Sequence, residues 1–216
     1  DTATAALDPA NPLLIVTGPL QGTTLPGSGR FSVCSRSPLT NLWGESNCGA
    51  DFGPALKFAG YDAIVVTGQA SEPLVLWVTD DGAQLRPAGD LWGKDAFETT
   101  DTLRNEGGKG SKVLCIGPAG ERLVRYASIV CDKGDVAGRT GMGAVMGAKR
   151  LKAIVARGSQ RPAIADLPAL QALRREVHER IREMVTLQSF KSFGTAGSLY
   201  YSSMVGDIAA KNCAPI

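Results

Sequence analysis

The residues with chemical potential in this sequence are arginines, glycines that let backbone approach a ligand, and cysteines. The glycines and basic side chains converge on the stretch from Ala137 to Gly158, AGRTGMGAVMGAKRLKAIVARG. Gly138, Gly141, Gly143 and Gly147 permit positive φ and close contact with a bulky group. Residues 144–149 are rich in helix formers, so the Gly141–Gly143 turn is expected at the N-terminus of a short helix. Free N–H groups and the helix dipole favour an anion there. The spacing is G-x-G-x-x-x-G with no strand expected ahead of it, unlike a dinucleotide fingerprint. No Gly-Lys-Ser/Thr follows, so it is no P-loop either. Alone, the stretch is a weak hint of phosphate binding, and a plain tight turn is the more ordinary reading.

The elements that must position it occur twice. Gly49-Ala50-Asp51-Phe52-Gly53 matches Gly143-Ala144-Val145-Met146-Gly147 as G-A-x-x-G, and the strand-like Asp62–Gly68 matches Lys152–Gly158. Upstream, Leu14–Pro19 matches Val113–Pro118 with a shift of one residue, and Arg30–Cys34 resembles Arg125–Ile129. Four landmarks in one order predict two copies of a strand–strand–turn/helix–strand unit, residues 12–68 and 112–158. The expected fold class is α+β: a duplicated β-rich unit, its repeats related by a pseudo-twofold axis, followed by the start of a helical region. Two glycine turns then meet at one site suited to a ligand with two similar anionic halves.

Composition narrows the alternatives. A chain of 216 residues, 44% hydrophobic and 20% charged, can bury one sizeable core plus an appendage. A net charge of +2 and sparse aromatics argue against nucleic-acid binding. No run reaches the ~18 apolar residues of a membrane span, and no secretory leader pattern opens the chain. The five cysteines (Cys34, Cys48, Cys115, Cys131, Cys213) are odd in number and include no C-x-x-C, so a zinc ribbon or a cluster held by this chain alone is not expected. Cys34, Cys115 and Cys131 sit in apolar runs as inert buried thiols, and cytoplasm is the expected compartment.

Along the chain, residues 12–17 read as a buried strand, 18–29 as a long loop, and 30–36 as an alternating strand. Residues 41–53 carry Trp43, Asn47 and Gly49; Asn47 could either cap the helix running to Ala59 or face a ligand. Residues 74–79 and 83–86 flank the hairpin signal Asp80-Asp81-Gly82, which makes Asp81 a turn residue. A surface helix is expected over 95–105, closed by Gly107-Gly108, with strands at 112–116 and 123–130. Residues 159–165 form a linker. From Leu167 an amphipathic helix begins, with Asp166 as cap and Pro168 in its first turn. It carries His178, the only histidine, beside its apolar stripe rather than in a cluster. A lone amphipathic helix with no closing signal is expected of a fragment or a subunit of something larger.

The residues Gly29-Arg30-Phe31, Ser37–Thr40, Asn47–Ala50 and Leu56–Ile64 resemble the aldehyde ferredoxin oxidoreductase family of tungsten enzymes. So do Ile116–Glu121, Ala137–Arg139, Gly143–Gly147 and Leu151–Ile154, and Phe193–Ala196 stands where the family writes Tyr-Gly-Thr-Ala. The resemblance implies a duplicated N-terminal domain, residues 1–158, on which two pterins sit. Their dithiolenes hold one tungsten, or molybdenum in some relatives, and a magnesium ion links the pterin phosphates through backbone carbonyls.

Carried over by position, Arg30 would reach between a pterin and a neighbouring [4Fe-4S] cluster. Asn47 and Val136 would supply the magnesium-binding carbonyls. Gly49 and Ala50 would touch one pterin through backbone, and Gly138 and Arg139 would bind the second. Asp135 stands where the family usually has a basic residue, a role Lys133 could take over. The cluster's ligands lie in domains absent from these residues. The implied reaction is oxidation of an aldehyde to a carboxylic acid, with electrons passed to ferredoxin or another electron-transfer protein. The implied partners include the remaining domains or a second copy of the chain. The alternatives are a relative that reduces aromatic thioesters or acids, a non-catalytic pterin-binding or assembly module, and an α+β domain without a cofactor.

Overall fold

The structure, a computed structural model, describes residues 4–208. The chain forms two compact units, Asp1–Ala163 and Ile164–Ile216.

The first unit begins with β1 (Leu13–Val16), β2 (Phe31–Arg36), β3 (Trp43–Cys48), α1 (Phe52–Phe58) and β4 (Ala63–Val66). These strands form one antiparallel sheet in the order β3-β2-β1-β4. The hairpin β5 (Leu74–Thr79) and β6 (Gly82–Pro87) and the helix α2 (Ala96–Gly107) come next. Then follow β7 (Lys112–Cys115), α3 (Pro118–Glu121), β8 (Ile129–Cys131), β9 (Asp135–Ala137), α4 (Met142–Ala148) and β10 (Leu151–Arg157). The second sheet reads β6-β5-β10-β7-β8-β9. Without the β5–β6 hairpin, which joins β10 in parallel, its order is third-second-first-fourth strand. That is the order of the first sheet, so the duplication expected from the sequence is present as topology.

The halves interpenetrate. The helix α1 of the first half packs on β7 and β10 of the second, while α4 packs on β1 and β2 of the first; β3 meets β9, its counterpart. One core results, with Leu13, Ile15, Phe31, Phe52 and Leu56 buried among Leu114, Ile116, Ile129, Met142, Met146 and Ile154. Each such side chain contributes about 1.5–3 kcal/mol on burial. A second cluster (Val75, Trp77, Leu103, Val113, Cys115, Val155) seats α2 on the second sheet. Asp95 caps that helix, accepting from the N–H groups of Phe97 and Glu98, both at 2.8 Å.

Pairing registers correct the sequence alignment of the repeats. Ile15 lies opposite Val33 and Leu114 opposite Cys131, which makes Val33 equivalent to Cys131. Phe31 then corresponds to Ile129, not to Tyr126, and the expected strand over 123–130 shrinks to β8, with 123–128 folded as turns. On the third strands Asn47 faces Ser32 and Val136 faces Val130, so Asn47 and Val136 are equivalent, and Gly49 matches Gly138. Helices α1 and α4 begin at Phe52 and Met142, so Gly53 matches Gly143. The G-A-x-x-G alignment is thus one helical turn out of step. Small residues spaced four apart on a helix face look the same after such a slip.

The glycines of α4 face protein rather than a ligand. A Cβ at Gly143 would stand 2.5 Å from the Ser128 carbonyl oxygen and 2.8 Å from that of Ala127. One at Gly147 would overlap the Gly120 carbonyl. The Gly143 N–H already donates to the Ala127 oxygen at 2.9 Å. The anion expected at this helix start is therefore excluded, because carbonyl oxygens occupy the place.

Two further expectations change. Trp43–Cys48 is a strand that lacks a large apolar alternation: its buried positions are Gly44, Ser46 and Cys48. Asn47 belongs to that strand and does not cap α1, whose N-cap residue is Asp51, with no side-chain cap hydrogen bond. The loop over 18–29 is pinned by the buried Gln21, which donates to the Gly29 carbonyl at 2.8 Å.

In the second unit α5 (Leu167–Glu183) is capped by Asp166 as expected, and is followed by α6 (Val185–Phe193) and α7 (Leu199–Met204). Cys213 lies outside the described residues.

If Gly147 serves α4–α3 packing, Gly147→Ala should destabilise the protein by about 1–3 kcal/mol or more, read as a lowered unfolding midpoint. An unchanged midpoint would contradict the packing.

Candidate functional site

The meeting of β3 with β9 brings the sequence candidates together. A cavity of about 830 Å³ is lined by Arg30, Glu45, Ser46 and Asn47 from the first half and by Val136, Gly138 and Arg139 from the second. Five of the residues singled out from the sequence line it. Gly49 lies at its margin, beside Asp135: a Cβ there would be 2.9 Å from Asp135 Oδ1 and 3.9 Å from an Arg30 guanidinium nitrogen. Ala50 follows with φ of 62° and is not among the lining residues.

Local structure explains how each group is held. On β3, alternation buries Gly44, Ser46 and Cys48 and exposes Glu45 and Asn47. The Arg30 guanidinium donates to the Asn47 carbonyl at 3.2 Å. Glu45 Oε1 accepts from Ser32 Oγ and from the Asn47 amide, both at 2.9 Å. Neither Glu45 nor Ser46 was singled out from the sequence; only the alternation of small and polar residues on β3 could have marked them.

Across the cavity, the strand β9 leads directly into Gly138 and Arg139, contrary to the expectation that no strand precedes the glycines. Thr140 and Gly141 then take positive φ, 61° and 74°. Only glycine suits the second of these, since a Cβ at Gly141 would overlap the Arg125 carbonyl. The Arg139 guanidinium is exposed and takes no ion pair or hydrogen bond among the described residues. It is a free planar donor at the cavity.

Lys133 does not compensate for Asp135. Its ammonium pairs with Asp101 at 2.5 Å and lies over the Phe97 ring. Behind the cavity, Cys48 and Cys131 are 1% and 0% exposed. The Cys131 thiol donates to Cys48, which with burial pushes Cys131 far above the ordinary thiol range. Cys48, receiving that hydrogen bond, is lowered against the opposing effects of burial and of Asp135, with Arg30 assisting. Burial likewise raises Cys115 and Cys34.

Among the described residues no three His, Cys, Asp or Glu side chains gather as a metal site. No helix among them is long and apolar enough to cross a membrane. His178 stays on α5, its Nδ1 2.8 Å from the Arg174 carbonyl oxygen.

A sequence profile described as "Aldehyde ferredoxin oxidoreductase, N-terminal domain" matches residues 1–158. The chain is 44% identical over 198 residues to the tungsten-containing aldehyde ferredoxin oxidoreductase of Pyrococcus furiosus, covering 91% of this chain and 33% of that protein. It is 36% identical over 204 residues to the aliphatic sulfonate oxidoreductase WOR-like subunit of the same organism, covering 88% of this chain and 32% of the relative. Among solved structures, the active-site complex BamBC of benzoyl coenzyme A reductase with 1,5-dienoyl-CoA superposes with a TM-score of 0.81 at 37% identity. That match covers 84% of this chain and 28% of the other. The chain spans about a third of the length of the curated relatives it matches.

The burial of the thiols has a direct test. Native protein treated with iodoacetamide near pH 8 should leave Cys34, Cys48, Cys115 and Cys131 unmodified by peptide mapping, and denaturant should open all four. Rapid native labelling of Cys48 would contradict its burial.

Proposed function

The chain belongs to the aldehyde ferredoxin oxidoreductase family, and we propose that residues 1–158 form the base that holds a bis-pterin tungsten cofactor for aldehyde oxidation. Electrons would leave to a ferredoxin-type acceptor. The observation that carries this reading is the meeting of two equivalent backbone segments, Asn47–Gly49 and Val136–Gly138, around one cavity flanked by two arginines. A ligand with two similar halves fits such a cradle better than an asymmetric one.

The residues present suit the group. Gly138 lines the cavity with main chain alone, so a pterin can approach it there, while the place of a Gly49 side chain is taken by the Asp135 carboxylate. Arg139, unpaired through its guanidinium, offers a planar fork to a phosphate of the second pterin. Arg30 stands at the opposite edge, its reach set by its hydrogen bond to Asn47. The carbonyls of Asn47 and Val136 are hard oxygen donors of the kind magnesium takes. Ala50 contributes backbone beside Gly49.

When bound, the tungsten centre (molybdenum in some relatives) supplies the two-electron chemistry that adds water-derived oxygen to R-CHO. This domain contributes binding and orientation through the residues that line the cavity. A [4Fe-4S] cluster would be held by residues beyond those described, as would the groups that select a substrate.

The benzoyl-CoA reductase likeness supports a second reading, in which the same base serves reduction of an aromatic thioester. The higher identity to the aldehyde enzyme favours oxidation.

Arg139→Ala in the complete enzyme should lower tungsten or molybdenum per protein about tenfold or more under dilution, since a lost charge-assisted hydrogen bond is worth about 1.5–3 kcal/mol. Elemental analysis showing unchanged metal would contradict the proposed contact.

A further inference from the structure

The backbone of Arg139 is held from the other half of the molecule. Ser46 on β3 is 2% exposed, and its Oγ accepts the Arg139 N–H at 3.0 Å. Ser37, fully buried just past β2, donates its hydroxyl to the Thr140 carbonyl at 2.7 Å and accepts the N–H groups of Leu39 and Thr40, both at 3.1 Å. Thr140 Oγ1 donates to the Arg139 carbonyl at 2.7 Å. The main chain of Arg139 therefore has its donor and its acceptor satisfied by protein, and only its guanidinium is left to a ligand.

The other half contains a counterpart. By strand register Ser46 corresponds to Asp135, since the first pairs with Val33 and the second with Cys131, which are themselves equivalent. Asp135 also reaches across: its Oδ1 lies against Gly49, the equivalent of Gly138. Each half thus sends a polar side chain from the same ladder position to the opposite turn.

We propose that Ser46 is a positioning residue for Arg139: through the Arg139 N–H it sets the direction of the Gly138–Arg139 turn and so the aim of the guanidinium into the cavity. The inference rests on the reading of the cavity as the cofactor cradle. Loss of the Ser46 hydroxyl would leave a main-chain N–H without its acceptor and free a turn that already bears two consecutive positive φ values.

The test uses the complete enzyme with four substitutions: Ser46→Ala, Ser46→Thr, Arg139→Ala and Ser35→Ala. Ser35 is the control. It lies on β2, is 1% exposed, and donates to the Pro12 carbonyl at 2.8 Å, away from the cavity. The readouts are metal per protein, the rate of metal loss into chelator, and the unfolding midpoint. Ser46→Ala should speed metal loss about tenfold, Ser46→Thr should restore most of the retention by keeping the Oγ acceptor, and Ser35→Ala should lower the midpoint without changing retention.

If Arg139→Ala loses metal while Ser46→Ala retains it like wild type, the positioning role is overturned and the cradle stands. If Ser35→Ala and Ser46→Ala lose metal equally and in proportion to their midpoints, the role is merely structural and the proposal falls. If Arg139→Ala itself retains metal, the cradle reading falls and the proposal with it.

Discussion

The structure depends on the exchange of helices between its halves. Neither four-stranded set could bury its face alone; each is covered by the helix of the other, α1 on β7 and β10 and α4 on β1 and β2. This crossing places β3 beside β9 and leaves no freedom in how their ends approach. The site is a consequence of core packing. It forms where the two third strands run out, on the side where small residues replace large ones and backbone is left accessible.

Glycine and serine divide the work of that arrangement. Gly120, Gly143 and Gly147 let backbone pack on backbone, so that α3 and α4 sit closer than side chains would permit. Gly138 instead lines the cavity, with a Val136 methyl 3.3 Å from where its Cβ would stand. Ser37 and Ser46 replace apolar contacts with directed hydrogen bonds, which fix a turn that packing alone would not aim. The buried ion pair of Lys152 with Glu121, at 2.5 Å, does similar work farther away: Lys152 also donates to the Lys94 carbonyl, and Glu121 accepts the Gly93 N–H.

Much of this was legible in the sequence, because strong signals are local. The continuous apolar run of β1, the capped helix α2, the Asp80–Gly82 hairpin and the start of α5 each carry their own periodicity or punctuation. The duplication was legible as order. Its register was not, because small-residue words survive a slip of one helical turn, and only strand pairing distinguishes Gly138 from Gly143 as the partner of Gly49. The strand β3 was hidden for a related reason: a strand that buries Gly, Ser and Cys offers no hydrophobic alternation. The resemblance named Arg30, Asn47, Val136, Gly138 and Arg139, yet Glu45 and Ser46, which hydrogen-bond two of them, are marked in the sequence only by the alternation of small and polar residues on β3.

One ligand bridging two equivalent turns would order both at once, which hydrogen–deuterium exchange on the complete enzyme, cofactor-loaded against cofactor-depleted, can read. Amides of residues 47–50 and 136–140 should gain protection together on loading, with little change in the remote β5–β6 hairpin. Protection of one segment without the other, or of neither, would contradict the bridging.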